Sequence, residues 1–154
     1  MAVYYFDTSA LVKRYANERG TGWMVNLINP TANHKLYTVR ITGPEMIAAF
    51  FRKANTGQIP RSDAVIFAQN FKANWQNIYR IIEIDSQVSD NAMLMAEKHG
   101  LRGYDAVHLA TAIHLELIRH NRGLPRLIFV SADNDLFQTA QNEGLLVENP
   151  NNYP

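Results

Sequence analysis

Short apolar runs alternate with helix-length segments along this 154-residue chain, and that alternation constrains its fold more than any other feature. The first run, Val3-Tyr4-Tyr5-Phe6, is compact, β-branched and aromatic, the pattern of a buried strand. Further strands are expected at Leu36–Val39, Arg80–Ile84, Leu127–Val130 and Leu145–Val147. Asp7-Thr8-Ser9 supplies capping side chains for a helical turn at Ala10-Leu11-Val12. Helices are expected over Trp23–Ile28, from Thr42 to near Gly57, and over Arg61–Ile78. A fourth starts at Ser86 or Ser89 and stops at His99-Gly100, with Gly100 just past its end. Tyr104–Arg119 carries a wide apolar stripe, and Asp133-Asn134-Asp135 opens a last helix that ends at Gly144. Strands separated by helices need crossover connections. Those give a parallel sheet covered on both faces, an α/β architecture.

The length suits a single domain over residues 1–154, able to bury ~70% of its unfolded surface. Cysteine is absent, which excludes disulfides, zinc–thiolate centres and thiol nucleophiles and fits a reducing cytoplasm. Asp7 and Lys13 break the N-terminal apolar stretch and no basic segment precedes it, so neither a signal peptide nor a membrane span is expected. A formal net charge of +1 gives no global attraction for nucleic acid, so any such contact must come from a local patch.

In an open α/β sheet, ligands sit outside the carboxyl ends of the strands. Asp7 directly follows the first strand and Asp133 closely follows Leu127–Val130. Glu45 opens the helix after the second strand, and Asp105 opens the long helix. Asp85 also follows a strand and competes with them. Carboxylates gathered at one place repel each other unless a cation joins them. Hard oxygen donors without cysteine suit Mg²⁺ or Mn²⁺, which acidify a bound water for attack on a phosphodiester.

Each acid also has a plainer reading. Thr42 and Glu45 have capping-box spacing, Asp105 suits the positive end of a helix, and Asp133 and Asp135 suit a helix start. Asp7, between Phe6 and Leu11, is the hardest to explain without a partner or an ion. His108 shares a face with Asp105 and reads first as a packed helix histidine, with orienting a carboxylate or touching substrate as the other readings. No Gly-x-Ser-x-Gly elbow surrounds Ser9 or Ser131, and no P-loop or dinucleotide fingerprint occurs. Lys13, Arg14, Arg40, Arg52, Lys53 and Arg102 flank the acids and suit phosphates. Tyr15 and Tyr104 are candidates to stack a base. The aromatics Trp23, Phe50, Phe51, Phe67, Phe71 and Trp75 read as core, with a partner helix as the alternative occupant of any apolar remainder.

Four segments resemble PIN domains: Phe6-Asp7-Thr8-Ser9-Ala10-Leu11-Val12-Lys13, Glu45-Met46-Ile47-Ala48-Ala49-Phe50, Gly103-Tyr104-Asp105-Ala106-Val107-His108-Leu109-Ala110-Thr111-Ala112 and Val130-Ser131-Ala132-Asp133-Asn134-Asp135-Leu136-Phe137. They stand in the family's order and span nearly the whole chain. The resemblance implies a Rossmann-like three-layer sandwich around a mostly parallel sheet of about five strands. It implies a Mg²⁺- or Mn²⁺-dependent endoribonuclease similar to the VapC toxins of toxin–antitoxin pairs. The catalytic and metal-binding roles carry over to Asp7, Glu45, Asp105 and Asp133, with Asp135 the other choice for the fourth ligand. Thr8 or Ser9 would orient Asp7 or a metal-bound water, and Ser131 would support the last acid. A homodimer and a small antitoxin covering the site are implied partners, besides the RNA substrate. Two other readings stand beside it. One is a non-catalytic PIN-like module that binds RNA or protein. The other is a phosphate-handling enzyme or receiver domain with Asp7 or Asp85 as acceptor.

Overall fold

A computed structural model describes all 154 residues. Five strands form one sheet: β1 Val3–Phe6, β2 Lys35–Val39, β3 Arg80–Ile82, β4 Ile128–Val130 and β5 Leu146–Glu148. Their order is β3-β2-β1-β4-β5 and every pairing is parallel, as the helix-length spacers require. The helices are α1 Thr8–Leu11, α2 Thr21–Ile28, α3 Thr42–Asn55, α4 Arg61–Trp75, α5 Ser86–His99, α6 Gly103–Asn121 and α7 Asn134–Asn142.

Alternation along the strands splits the core in two. Phe6, Leu36 and Val130 face one side, where they pack with Leu11, Met24, Met46, Phe50 and Phe71 from α1 to α4. Val3, Tyr5, Val39 and Phe129 face the other, against Leu109 and Ala112 of α6 and Leu136 and Ala140 of α7. The result is a three-layer sandwich. Fully burying each of the Val, Leu, Met and Phe side chains among them contributes roughly 1.5–3 kcal/mol. Ala92 of α5 meets Ala106 and Ala110 of α6, so these two helices pack closely through small residues. Most of the predicted aromatics are core: Phe50 and Phe71 are buried, and Phe51, Phe67 and Trp75 pack against them. Trp23 also packs against this cluster and stacks on Tyr153 near the C-terminus. Gly20 meets Pro150 in the same region. It has φ +87°, and a Cβ there would clash with the Pro150 carbonyl oxygen. No helix is long and apolar enough to cross a membrane.

Several boundaries differ from the sequence reading because tertiary partners intervene. β3 stops at Ile82, not Ile84, since its partner β2 ends at Val39 and only the Arg40 amide continues the ladder, to the Ile82 carbonyl at 2.9 Å. β4 begins at Ile128, because the Leu127 amide donates to the Glu116 carboxylate at 2.7 Å. β5 runs Leu146–Glu148 because the Leu145 amide closes α7 on the Ala140 carbonyl at 3.1 Å. α4 ends at Trp75, and the amides of Asn77 and Ile78 fold back onto the Asn74 carbonyl. Asp85, rather than Ser86 or Ser89, caps α5, accepting from the Val88 amide at 2.8 Å. Gly100 ends that helix at φ +66°. The Thr42–Glu45 capping box does not form. Ile41 holds the cap position, and the buried Thr42 hydroxyl bonds Thr38 at 2.7 Å.

Candidate active site

β1 and β4 lie side by side, but the chain leaves β1 toward β2 and leaves β4 toward β5. Connections that depart in opposite directions open a crevice at the carboxyl ends of these two strands. Phe6 pairs in register with Val130, so Asp7 and Ser131 emerge next to each other there.

Asp7 is only 3% exposed. Its carboxylate caps α1 through the Ala10 amide at 2.9 Å. The Ser9 hydroxyl reaches both of its oxygens at 2.8 Å, and the Ser131 hydroxyl donates to Oδ2 at 2.6 Å. Burial pushes the Asp7 carboxyl above its ordinary range, against the opposing pull of His108, Ser131, Ala10 and Ser9. Ser9 and Ser131 are themselves held, by the amides of Ala132 at 2.9 Å and Asp133 at 3.2 Å.

Glu45 enters from the first turn of α3. Its Oε1 accepts from the Thr8 hydroxyl at 2.8 Å and bonds His108 Nε2 at 2.8 Å. His108, 1% exposed on α6, bonds the Tyr5 hydroxyl through Nδ1 at 3.0 Å. Asp105, in the first turn of α6, stands 3.7 Å from the Arg102 guanidinium. Burial raises its carboxyl above the ordinary value, and the charges of Asp133 and Glu45 add to that against Arg102 and His108. Asp133 caps α7, accepting from the amides of Asp135 at 2.9 Å and Leu136 at 3.0 Å.

Asp7, Glu45, Asp105 and Asp133 line one open cavity of about 600 Å³. Asp135 and Asp85 do not line it, and both are exposed. As the side chains are placed, no three acidic or histidine residues stand close enough together to hold one ion.

The sequence model of the PIN domain family matches residues 4–142. The chain belongs to the PIN domain family. Its similarity to Ribonuclease VapC45 and Ribonuclease VapC49, from two strains of Mycobacterium tuberculosis, is 31% identity over 73% of this PIN domain chain and 76% of each relative. Solved structures share the fold at lower identity. PAE2754 from Pyrobaculum aerophilum gives a TM-score of 0.62 at 19% identity, over 95% of this chain and 83% of that one. FitAcB from Neisseria gonorrhoeae gives 0.62 at 18%, over 96% and 97%. VapBC2 from Rickettsia felis, bound to a promoter DNA fragment, gives 0.58 at 16%, over 96% and 98%.

The supporting hydroxyls of this PIN domain divide among the acids. Ser131 donates to the carboxylate of the first acid, because β4 lies against β1, and meets the last acid through its backbone, accepting from the Asp133 amide. Thr8 turns to Glu45, leaving Ser9 to orient Asp7. Arg52 and Arg102 are the flanking cations that line the cavity. Lys13 and Lys53 are engaged by Glu18 at 3.2 and 2.5 Å, Arg40 pairs with Glu83, and Arg14 lies over the Tyr15 ring. Tyr104 is 59% exposed on the cavity wall, whereas Tyr15 is buried against Phe50 and Phe71 and cannot meet a base. Sequence reasoning missed Tyr5. The available signal was a hydroxyl on the Val3-facing side of a buried strand, which needs a partner from the covering helix.

Proposed function

We propose that this PIN domain, acting as one unit over residues 1–154, is a divalent-metal-dependent endoribonuclease that hydrolyses RNA phosphodiesters. The observation that carries the reading is the lining of one cavity by Asp7, Glu45, Asp105 and Asp133 in a chain 31% identical to two ribonucleases. The donor set fits Mg²⁺ or Mn²⁺, since all four side chains offer hard carboxylate oxygens. The raised Asp105 carboxyl fits as well: burial comes first, but Asp133 and Glu45 also repel its charge, and a cation relieves that repulsion. Binding would draw the side chains inward from their present spacing. Asp7, Glu45, Asp105 and Asp133 are the proposed ligands, and Asp133 is preferred to the exposed Asp135. The chemistry such an ion supplies when bound is acidification of the attacking water and neutralisation of phosphate charge.

The chain's own groups do the rest. Ser9, Ser131 and the Ala10 amide fix the Asp7 carboxylate in one orientation. Arg52 and Arg102, at the cavity wall, offset its negative charge and receive phosphates. Tyr104 offers an exposed ring to an unstacked base. Such a substrate places the activity in the cytoplasm.

With the 31% identity to the two VapC ribonucleases and the fold shared with the FitAcB and VapBC2 structures in view, the proposed role is the toxin half of a toxin–antitoxin pair, with a small antitoxin protein over the cavity; a homodimer is proposed as well. A non-catalytic binding module is the weaker alternative, since capping α1 does not by itself call for a carboxylate buried to 3% exposure. The decisive experiment incubates purified protein with total RNA in Mg²⁺ or Mn²⁺ and again with chelator. Cleavage that needs the ion and vanishes in Asp7→Asn and Asp105→Asn is expected. Intact RNA in every wild-type lane, or equal cleavage by the variants, overturns the reading.

A further inference from the structure

The two bonds to Glu45 fall on the same atom. Thr8 Oγ1 and His108 Nε2 both reach Oε1 at 2.8 Å, and no protein group bonds Oε2. A carboxylate only accepts, so His108 carries its proton on Nε2 toward Glu45. With that proton on Nε2, the other nitrogen of a neutral imidazole accepts, so the Tyr5 hydroxyl donates to His108 Nδ1 at 3.0 Å. The chain therefore runs Tyr5 O–H to His108, then His108 N–H to Glu45. It starts in the sheet at a residue 0% exposed and ends at the cavity.

A histidine kept only for packing has no need of this arrangement. His108 lies beside Leu109 on a helix face buried against the sheet, where an apolar side chain fills space without losing hydration. Tyr5 sits equally deep and stacks on Phe129, which already provides for its ring but not for its hydroxyl.

From this geometry, and resting on the metal-site reading above, we propose that His108, braced by Tyr5, is a positioning residue. It pins Glu45 through Oε1 and thereby presents Oε2 to the divalent cation. Thr8 shares the pinning from α1, so the loss of His108 loosens Glu45 without freeing it.

The test is Mn²⁺ affinity, read from the EPR signal of free Mn²⁺ during titration of the purified protein. Circular dichroism and a thermal melt report folding in parallel. His108→Leu is expected to weaken binding by about 10–100-fold, the range for losing the partner of a metal-ligating side chain. His108→Gln, whose amide N–H replaces the Nε2 donor, is expected to recover most of that loss. Tyr5→Phe, which removes only the brace, should weaken binding by a smaller factor. Wild-type affinity in a folded His108→Leu overturns the proposal, as does a loss of equal size in Leu and Gln, which makes the role one of packing. If His108→Leu fails to fold, the comparison passes to His108→Asn, whose shorter amide reaches the Tyr5 side but not Glu45. Tight Gln and weak Asn support the proposal, and equal affinities overturn it. A wild-type protein that binds no Mn²⁺ instead overturns the metal site itself.

Discussion

Asp7 and Asp85 share a local pattern and end in different surroundings. Each follows a parallel strand, holds extended backbone and caps the next helix, Asp7 through the Ala10 amide at 2.9 Å and Asp85 through the Val88 amide at 2.8 Å. β1 is the middle strand of five, while β3 lies at an edge. Asp7 therefore receives Ser131 from the neighbouring β4 and shares a cavity with Glu45, Asp105 and Asp133. Asp85 has no strand beyond β3 to supply a second donor and remains exposed. Capping chemistry alone does not distinguish a candidate site from a helix start. The neighbours that sheet order delivers do.

The largest test of this contrast is paired substitution. Asp7→Asn should lower RNA cleavage by more than about 100-fold, beyond the usual loss from a residue that only supports a metal ligand. Asp85→Asn should leave cleavage within about twofold, since Asn caps a helix about as well as Asp. Equal losses would erase the distinction. A second pair concerns the flanking hydroxyls. Ser131→Ala removes a donor from a buried carboxylate and should destabilise the fold by about 1–3 kcal/mol in denaturant titration. Ser89→Ala, on the exposed side of α5, should stay within about 0.5 kcal/mol of wild type.

Charge relief gives a smaller effect with a definite sign. The Asp105 carboxyl is raised in the folded protein, so its ionisation opposes folding. That penalty is absent below the unfolded value near 3.8 and grows as pH climbs through the folded value. Metal-free Asp105→Asn should therefore melt higher than wild type at pH 7–8, by roughly 1–3 °C. The gain should fade toward pH 3.8. Mn²⁺ should raise the Tm of wild type more than that of the variant, whereas Asp85→Asn should show no comparable dependence on the ion. Smallest is the rim: Arg52→Ala should weaken single-stranded RNA binding a few-fold and reduce the salt slope by about 0.7, the share of one phosphate contact.

The sheet was readable from local pattern because β1 and β4 are runs that only a buried strand accommodates, and the helix-length spacers compel parallel pairing. Asp7 and Asp133 were readable as residues that follow strands. The links among them were not. His108 and Tyr5 are 103 positions apart, and Ser131 and Asp7 are 124 apart, so no window of sequence contains either pair. Thr42 shows the converse. Its spacing to Glu45 satisfies a local rule, yet the Thr38 hydroxyl, itself donating to the Phe6 carbonyl at 2.9 Å, takes it into the sheet. Tyr15 failed as a base platform for a related reason: its hydroxyl meets Tyr79 at 2.6 Å, a partner 64 positions away.

The adjacency of β1 and β4 also bears on synthesis. The strand that completes the crevice is translated more than 120 residues after the one that begins it, as the Phe6–Val130 register makes plain. A polypeptide interrupted on the ribosome before Val130 lacks Ser131, which bonds Asp7, and Asp133, which completes the cavity lining. The last wall of the cavity is thus also the last part of it to leave the ribosome.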